Sequence, residues 1–405
     1  MNVLGYLDRT LRKRMRGPNT GPEATKSARP AEHPPSAIPE PHVPVHPSPD
    51  IDAFLYEALC GRLSQEGRWY IDEITVTDEL EIRGWAIRPA CWFGEATFTV
   101  NGQPFTRVEK DRDRPDIAPA LKVEPDRVST FRCRIDVNDL PDGVRNLHFA
   151  YADRRTLKPL VLSQWYWFPE IDTPLPDPAR RARVHGSDDV YTFLLFGAQI
   201  YGALAQALDR AFGKTFDDFP RVLDWGCGSG RVLRPLAARH AVKLIGVDVD
   251  ADNIAWCRTA FPNCSFESTD LYPPLPFASE SLDLVYGISV FTHLKEQDQF
   301  KWLEELRRVT RPGGVLLFSL HGEHAWFRSQ TPGTRATFVE WKRRGFYDLC
   351  ADSNLKGFIA DEDYYHDVFH DLSYIVREWG RFFKVVEYFP GSLQGVQDLV
   401  VLVKE

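Results

Sequence analysis

The stretch VLDWGCGSGR, residues 222–231, decides the fold. Its apolar start reads as a buried strand, with Asp224 at the strand's end. Gly226, Gly228 and Gly230 then alternate before a helix expected to begin near Arg231. Glycines allow the backbone to turn sharply and to approach a ligand closely. A helix N-terminus behind them would offer N–H groups and a positive dipole end to an anion. The spacing is GxGxG with an acid two residues upstream. It is not the GxGxxG of nicotinamide-binding turns, whose last glycine serves helix–strand packing. A glycine trio alone reads equally well as a tight turn, so the neighbouring residues must decide.

The next apolar run, KLIGVDVD (243–250), ends a second strand at Asp248, twenty residues after Gly228. A carboxylate at that place can accept both hydroxyls of a ribose. Asp250 suits the cap of the following helix. Asp248-Val249-Asp250 also mimics a metal-binding DxD, a reading that the glycine loop disfavours. A third acid, Asp270, closes SFESTD before LYPPLPF. Strands are expected at 221–225, 243–248, 264–267, 282–287 and 314–320, alternating with helices, which signals a parallel sheet. A long insertion follows, then a closing pair at 383–389 and 396–402. The turn between them, PGSLQG (390–395), is too short for a crossover, so that pair must run antiparallel. The expected fold is α/β, a Rossmann-like doubly wound sheet of seven strands.

Taken together, RVHGSDDVYTFLLFG (183–197), LDWGCGSGRVLRPL (223–236), GVD (246–248), SLDLVYGISVFTHL (281–294), RVTRPGGVLLFSLHG (308–322) and QDLVVL (397–402) resemble bacterial class I S-adenosylmethionine-dependent methyltransferases. The resemblance covers residues 183–405. It implies S-adenosylmethionine as cofactor, with Asp224 and the Gly226–Gly230 loop holding its methionine part and Asp248 its ribose. Asp270 would meet the adenine amino group, and the Leu271 N–H its ring nitrogen. The HGSDDVYTFLLFG segment would cap the cofactor, with Phe193 and Gly197 nearest. Cys227, Val249 and Ile288 complete the expected contacts.

With 405 residues the chain has room for two domains and a tail. Residues 1–16 place Leu4, Leu7, Leu11 and Met15 on one stripe among basic residues. Such a helix can lie on an anionic membrane surface or dock on a partner, although one so short reads more simply as a soluble tail. Up to Asp50 the chain is proline-dense and reads as a linker. A short helix is expected within 51–67, and residues 68–170 shift to period two, with a hairpin signal at Asn101-Gly102. Consecutive strands without helices imply a separate antiparallel β-sandwich. This segment, through GWAIRP and TFTVNGQPF, resembles Ig-like accessory domains beside enzymes of surface-polysaccharide synthesis. Its aromatics (Trp69, Trp85, Trp92, Trp165, Trp167) read mainly as core, with stacking on sugars as the alternative. The methyltransferase domain is expected over 178–405, with the insertion 321–373 as a substrate lid.

A net charge of −8 argues against a nucleic-acid partner, because phosphate contacts need a basic face. Seven scattered cysteines suit reduced thiols and no CxxC metal site. No apolar run is long enough to span a bilayer, and no signal-peptide core is seen. The expected location is the cytoplasm, with peripheral contact at the inner membrane face if residues 1–16 engage it. The expected partner is a small-molecule or glycan acceptor.

Transfer to a sugar hydroxyl benefits from a general base, because the hydroxyl is a poor nucleophile at neutral pH. Ligands in this fold sit above the carboxyl ends of the strands. That nominates His293 after the fourth strand and His321 and His324 after the fifth, with Gln397 and Asp398 on the same rim. His366 and His370, in DEDYYHDVFHD (361–371), have the i, i+4 spacing of helical metal ligands. With no third ligand fixed by spacing, no metal is assigned, and His370 stands as a third candidate base. Each histidine reads alternatively as a hydrogen-bonded scaffold residue. Three functions compete: methylation of a sugar hydroxyl, methylation of a lipid or isoprenoid at the membrane, and a non-catalytic recruitment module.

Overall fold

A computed structural model describes residues 65–405 apart from 122, 141–142, 145, 162, 168–172, 330–331, 352–360 and 362. The expected tail, linker and helix over 52–63 lie outside the described residues. The first strands are β1 (Arg68–Val76), β2 (Glu79–Ile87), β3 (Ala96–Val100), β4 (Gln103–Pro104), β5 (Arg107–Glu109), β6 (Val128–Asp136), β7 (Asn146–Asp153) and β8 (Gln164–Trp167). They form two four-stranded sheets, ordered β1-β2-β6-β5 and β4-β3-β7-β8, antiparallel throughout. Asn101 and Gly102 both take positive φ, 50° and 82°, as a tight hairpin of this kind requires. Aromatic packing fills the space between the sheets, with Phe98 and Phe131 ring centres 4.0 Å apart.

Two helices connect this region to the larger sheet, α1 (Pro178–His185) and α2 (Val190–Phe212). Leu195 and Phe196 of α2 belong to the same apolar cluster as Trp69, Trp85 and Phe131. Gln199 also donates to Gln164 of β8 at 3.1 Å. The apolar core of the first eight strands therefore extends onto a helix of the second region.

The larger sheet is built from β9 (Arg221–Trp225), β10 (Lys243–Asp248), β11 (Ser265–Ser268), β12 (Leu282–Gly287) and β13 (Thr310–Leu320). Between these strands run α3 (Leu233–Arg239), α4 (Ala251–Ala260) and α5 (Glu296–Val309). Helices α6 (Glu323–Ser329) and α7 (Pro332–Arg344) follow, then a small hairpin of β14 (Phe346–Ala351) and β15 (His366–His370). The chain ends with α8 (Leu372–Glu378), β16 (Lys384–Leu393) and β17 (Gln397–Val403). The sheet order is β11-β10-β9-β12-β13-β17-β16. The first five strands are parallel, and β17 runs antiparallel to both β13 and β16. Every residue of β12 is buried, as a central strand covered on both faces should be. One apolar cluster lies on each face of the sheet.

The order 3-2-1-4-5-7-6 places the ends of β9 and β12, the two central parallel strands, side by side. Leu320 pairs with Asp398, so the start of the reversed β17 meets the end of β13 on the same rim. The final turn is tighter than expected, because β16 continues to Leu393 and pairs it with Gln397.

One expectation is corrected. His366 and His370 do not lie on a helix; they begin and end β15, which pairs with β14. Extended backbone separates residues four apart by roughly 13 Å, too far for both to hold one ion. Among the described residues no group of three or more His, Cys, Asp or Glu could hold a metal. No helix among them is long and apolar enough to cross a membrane.

Candidate functional site

The carboxyl ends of β9, β10 and β12 open onto a cavity of about 310 Å³. Asp224, Gly226, Cys227, Gly228, Asp248, Val249, Leu271 and Ile288 all line it. Gly226, Gly228 and Gly230 take φ of 76°, 51° and 73°, a region that side-chain-bearing residues rarely adopt. A Cβ on Gly226 would also stand 2.5 Å from Val290 Cγ2. The N–H groups of Gly226 and Cys227 both donate to Val247 O, at 2.8 and 3.0 Å, which ties the loop to β10. The helix behind it, α3, starts at Leu233, two residues later than expected, and has only seven residues.

Asp224 is buried at the base of the cavity, and its Oδ2 has no hydrogen-bond partner. Burial raises its pKa to about 7, with Asp248 adding to the rise and the Tyr286 hydroxyl and Arg231 opposing it. Asp248 accepts from Gly228 N at 2.7 Å and from Asp250 N at 2.8 Å. Burial raises its pKa too, against the pull of those two N–H groups. Asp250 accepts from the N–H groups of Asp252 and Asn253, capping α4 as expected.

From the other side the cavity is covered by Arg183, Val184 and His185 of α1 and by Phe196 and Ile200 of α2. His185 is held neutral, its pKa lowered by burial and then by Arg231. Its Nδ1 accepts from Arg231 at 2.8 Å, and Nε2 meets Thr192 Oγ1 at 3.0 Å. Arg183 forms an ion pair with Asp250 at 2.9 Å and donates to Asn253 Oδ1 at 3.2 Å, closing α1 over the start of α4.

A second group of side chains gathers on the β12–β13–β17 rim. His293 and His321 both line the cavity, with ring centres 5.9 Å apart in an edge-on arrangement. His293 is buried, and its Nδ1 faces two acceptors, His366 O at 3.1 Å and Asp367 Oδ1 at 3.3 Å. Those acceptors favour the tautomer that carries its proton on Nδ1. Tyr365 stacks on His293 at 4.1 Å and 17°. Ser289 takes a left-handed φ of 58°, and its hydroxyl accepts from Gln397 at 2.9 Å. Gln397 also meets His321 Nε2 at 3.4 Å.

Residues 222–314 match a family model described as a methyltransferase domain. The trans-aconitate 2-methyltransferase of an Azoarcus species is 31% identical over 179 residues, which are 41% of this chain and 68% of that protein. The chain belongs to the S-adenosylmethionine-dependent methyltransferases. A probable S-adenosylmethionine-dependent methyltransferase of Mycolicibacterium smegmatis is 39% identical over 98 residues, 24% of this chain and 37% of that protein. Arabidopsis thaliana tocopherol O-methyltransferase is 25% identical over 150 residues, 36% of this chain and 41% of that protein. The chain thus spans less than half of those two relatives. The N-methyltransferase NodS of Bradyrhizobium japonicum, solved with S-adenosylhomocysteine, superposes with a TM-score of 0.36 at 15% identity. That alignment covers 56% of this chain and 96% of NodS.

The methyltransferase's cavity fits its cofactor. Asp224 supplies the unpaired acceptor that a cationic amino-acid head needs, and the glycine loop supplies backbone without side chains. Asp248 keeps lone pairs for hydroxyls beyond the two N–H bonds it accepts.

Not every residue expected at this site of the methyltransferase reaches the cavity wall. Asp270 is exposed, and its neighbours Thr269 and Leu271 line the wall instead. Gly230 turns the loop from behind, where a Cβ would strike Phe261 at 2.7 Å. On α2 Phe193 is buried away from the cavity, and Phe196, one helical turn on, takes the place expected of it. Gly197 permits close packing of α2, because a Cβ there would meet Arg231 O at 2.4 Å. His370 is fully buried with Nε2 on Gln299 at 3.0 Å, and burial lowers its pKa to about 3. Neither it nor His324 lines this cavity. Asp398 holds the last hairpin together, accepting from Tyr388 Oη and from Gly391 N at 2.6 Å.

The sequence reading passed over Arg183, His185, Arg231 and Asp367. The first three sat in motifs already quoted, where a histidine two residues from an arginine was the available signal. Asp367 meets His293 only through the fold, 74 residues further along the chain.

Proposed function

We propose that the protein transfers the methyl group of S-adenosylmethionine to a hydroxyl of a sugar, in a nucleotide sugar or a surface glycan. The observation that carries this reading is the His293–Asp367 pair on the cavity wall. Bound at Asp224, the glycine loop and Asp248, the cofactor supplies an electrophilic methyl group. The chain's own task is to align the acceptor and to take its proton. His293 Nε2 accepts the hydroxyl proton while His366 O and the Asp367 carboxylate hold Nδ1–H and favour the imidazolium that forms. Amine acceptors lose their proton readily without such a base; hydroxyls do not.

The names of several relatives support an oxygen acceptor, among them the tocopherol and the fatty-acid O-methyltransferases. In this reading the two N-terminal sheets form an Ig-like accessory domain, and residues 321–373, which bring Tyr364 and Tyr365 to the cavity, act as a lid over the acceptor. The test is incubation of the full chain with isotopically labelled methyl donor and extract of the source cells, followed by identification of the labelled product. A methyl ether on a sugar is the expected result. Label on nitrogen, on carbon or on a lipid overturns the reading.

A further inference from the structure

A second cavity, of about 420 Å³, lies between the N-terminal sheets and the methyltransferase sheet. Its size is within the range of ordinary ligand sites. One wall is aromatic: Tyr70 and Trp85 stack with ring centres 6.2 Å apart. The other walls carry amides and a hydroxyl, Gln199 and Gln206 from α2 and Ser392 and Gln394 from the last hairpin, beside the charged side chains Glu66, Arg68, His324 and Arg328. Four buried polar atoms of these residues have no hydrogen-bond partner: Trp85 Nε1, Gln199 Oε1, Ser392 Oγ and Gln394 Nε2. Trp85 itself is only 5% exposed. Buried polar groups are nearly always paired, so several unpaired ones in one cavity indicate a missing polar partner.

The ionic groups do not ask for a charged partner: Glu66 and His324 pair with each other at 2.9 Å, and Arg68 and Arg328 have interactions of their own within the fold. What is left to satisfy is an aromatic face ringed by amides and hydroxyls. A pyranose matches both, with apolar C–H faces and a rim of hydroxyls that donate and accept. Gln394 also lines the first cavity, so the two cavities share a wall at the β16–β17 turn. Its φ of 61° is left-handed for a non-glycine residue, a cost tolerated where a side chain must be aimed.

We infer that this cleft is a glycan subsite: it holds a non-reacting sugar unit of the acceptor while another unit reaches His293 across Gln394. The inference rests on the proposed sugar acceptor. It assigns the N-terminal sheets a substrate-binding wall, formed jointly with α2 and the last hairpin.

The test uses the full chain, labelled methyl donor and, as probe, short neutral oligosaccharides released from the surface glycan of the source cells by mild acid. Trp85→Phe removes the indole N–H and keeps a ring; Gln206→Trp fills the cleft from the surface of α2. Each variant should raise KM for the oligosaccharide by about tenfold or more, because it leaves polar groups unpaired or blocks the space. Calorimetric affinity for S-adenosylmethionine should stay within about twofold of wild type, which a damaged fold would not allow. If the wild type labels the oligosaccharide and both variants keep its KM, the cleft inference falls and the sugar acceptor stands. If the wild type labels no oligosaccharide but labels another acceptor, both fall together.

Discussion

Asp224→Asn should make the cofactor-free protein more stable while it destroys cofactor binding. The carboxyl is buried with Oδ2 unpaired, and burial raises its pKa from 3.8 to about 7. A carboxyl raised on folding keeps its full stability below its unfolded pKa and loses it as pH rises toward the folded value. That loss accrues between about pH 4 and pH 7. At 1.36 kcal/mol per pH unit it amounts to about 4 kcal/mol at pH 8 and about 2 kcal/mol at pH 5. Asp224 is only 4% exposed, so solvent screening shrinks the figure little. Asparagine keeps the shape and carries no charge to desolvate, so the variant should recover most of that difference. Scanning calorimetry of wild type and variant at pH 8 and pH 5 measures it. The expected gain is several degrees in melting temperature at pH 8, roughly halved at pH 5. Titration calorimetry with S-adenosylmethionine should show affinity down by about tenfold or more, since a charge-assisted bond to the amino group is lost. A variant no more stable than wild type at pH 8, or one that binds the cofactor normally, refutes the role given to Asp224.

His293→Ala should lower kcat by roughly a hundredfold or more and leave cofactor affinity nearly intact, the pattern of a lost proton acceptor. Turnover within a few-fold of wild type in steady-state assays would remove His293 from the chemistry. Asp248→Ala should weaken S-adenosylmethionine by about tenfold or more in calorimetry, because the carboxylate both faces the cavity and anchors the Gly228 N–H. Gly228→Val should be worse, since a branched residue at a φ of 51° would also press on Val184; retained binding counts against the loop assignment. His324 lies between Glu66 and Asp398; burial opposes its protonation, but hydrogen bonds and charge from those acids prevail and raise its pKa to about 9. Its contribution is complete below about pH 6.5 and is lost as pH rises through about 9. Denaturant titrations should therefore show wild type losing on the order of 3 kcal/mol more than His324→Gln between pH 6 and pH 10. Parallel pH profiles would show that the pair is not protonated in the fold.

The larger sheet was legible because its signals are local. An apolar strand, an acid at its end and alternating glycines occupy ten consecutive residues, and each strand boundary is marked by its own burial pattern and turn. Six of the seven strands start within one residue of the expected place, Thr310 being the one departure. Asp224, Gly228 and Asp248 line one cavity for the same reason: strand ends in a parallel sheet converge, so sequence spacing implies spatial meeting.

What sequence could not decide depended on which elements pack together. DEDYYHDVFHD carries aromatics and charges that suit a helix or an edge strand, and only pairing with β14 made His366–His370 extended. That choice turned His370 into a buried partner of Gln299 and brought Asp367 beside His293. Phe193 and Phe196 are three residues apart on one helix, and the helix's rotation against the loop decides which lines the cavity. Trp85 could be core or ligand contact by composition. It is core, and it also lines a cleft that α2 and the last hairpin leave against the N-terminal sheets. Period and propensity act over a few residues, whereas a side chain's neighbours are set by contacts across the whole chain.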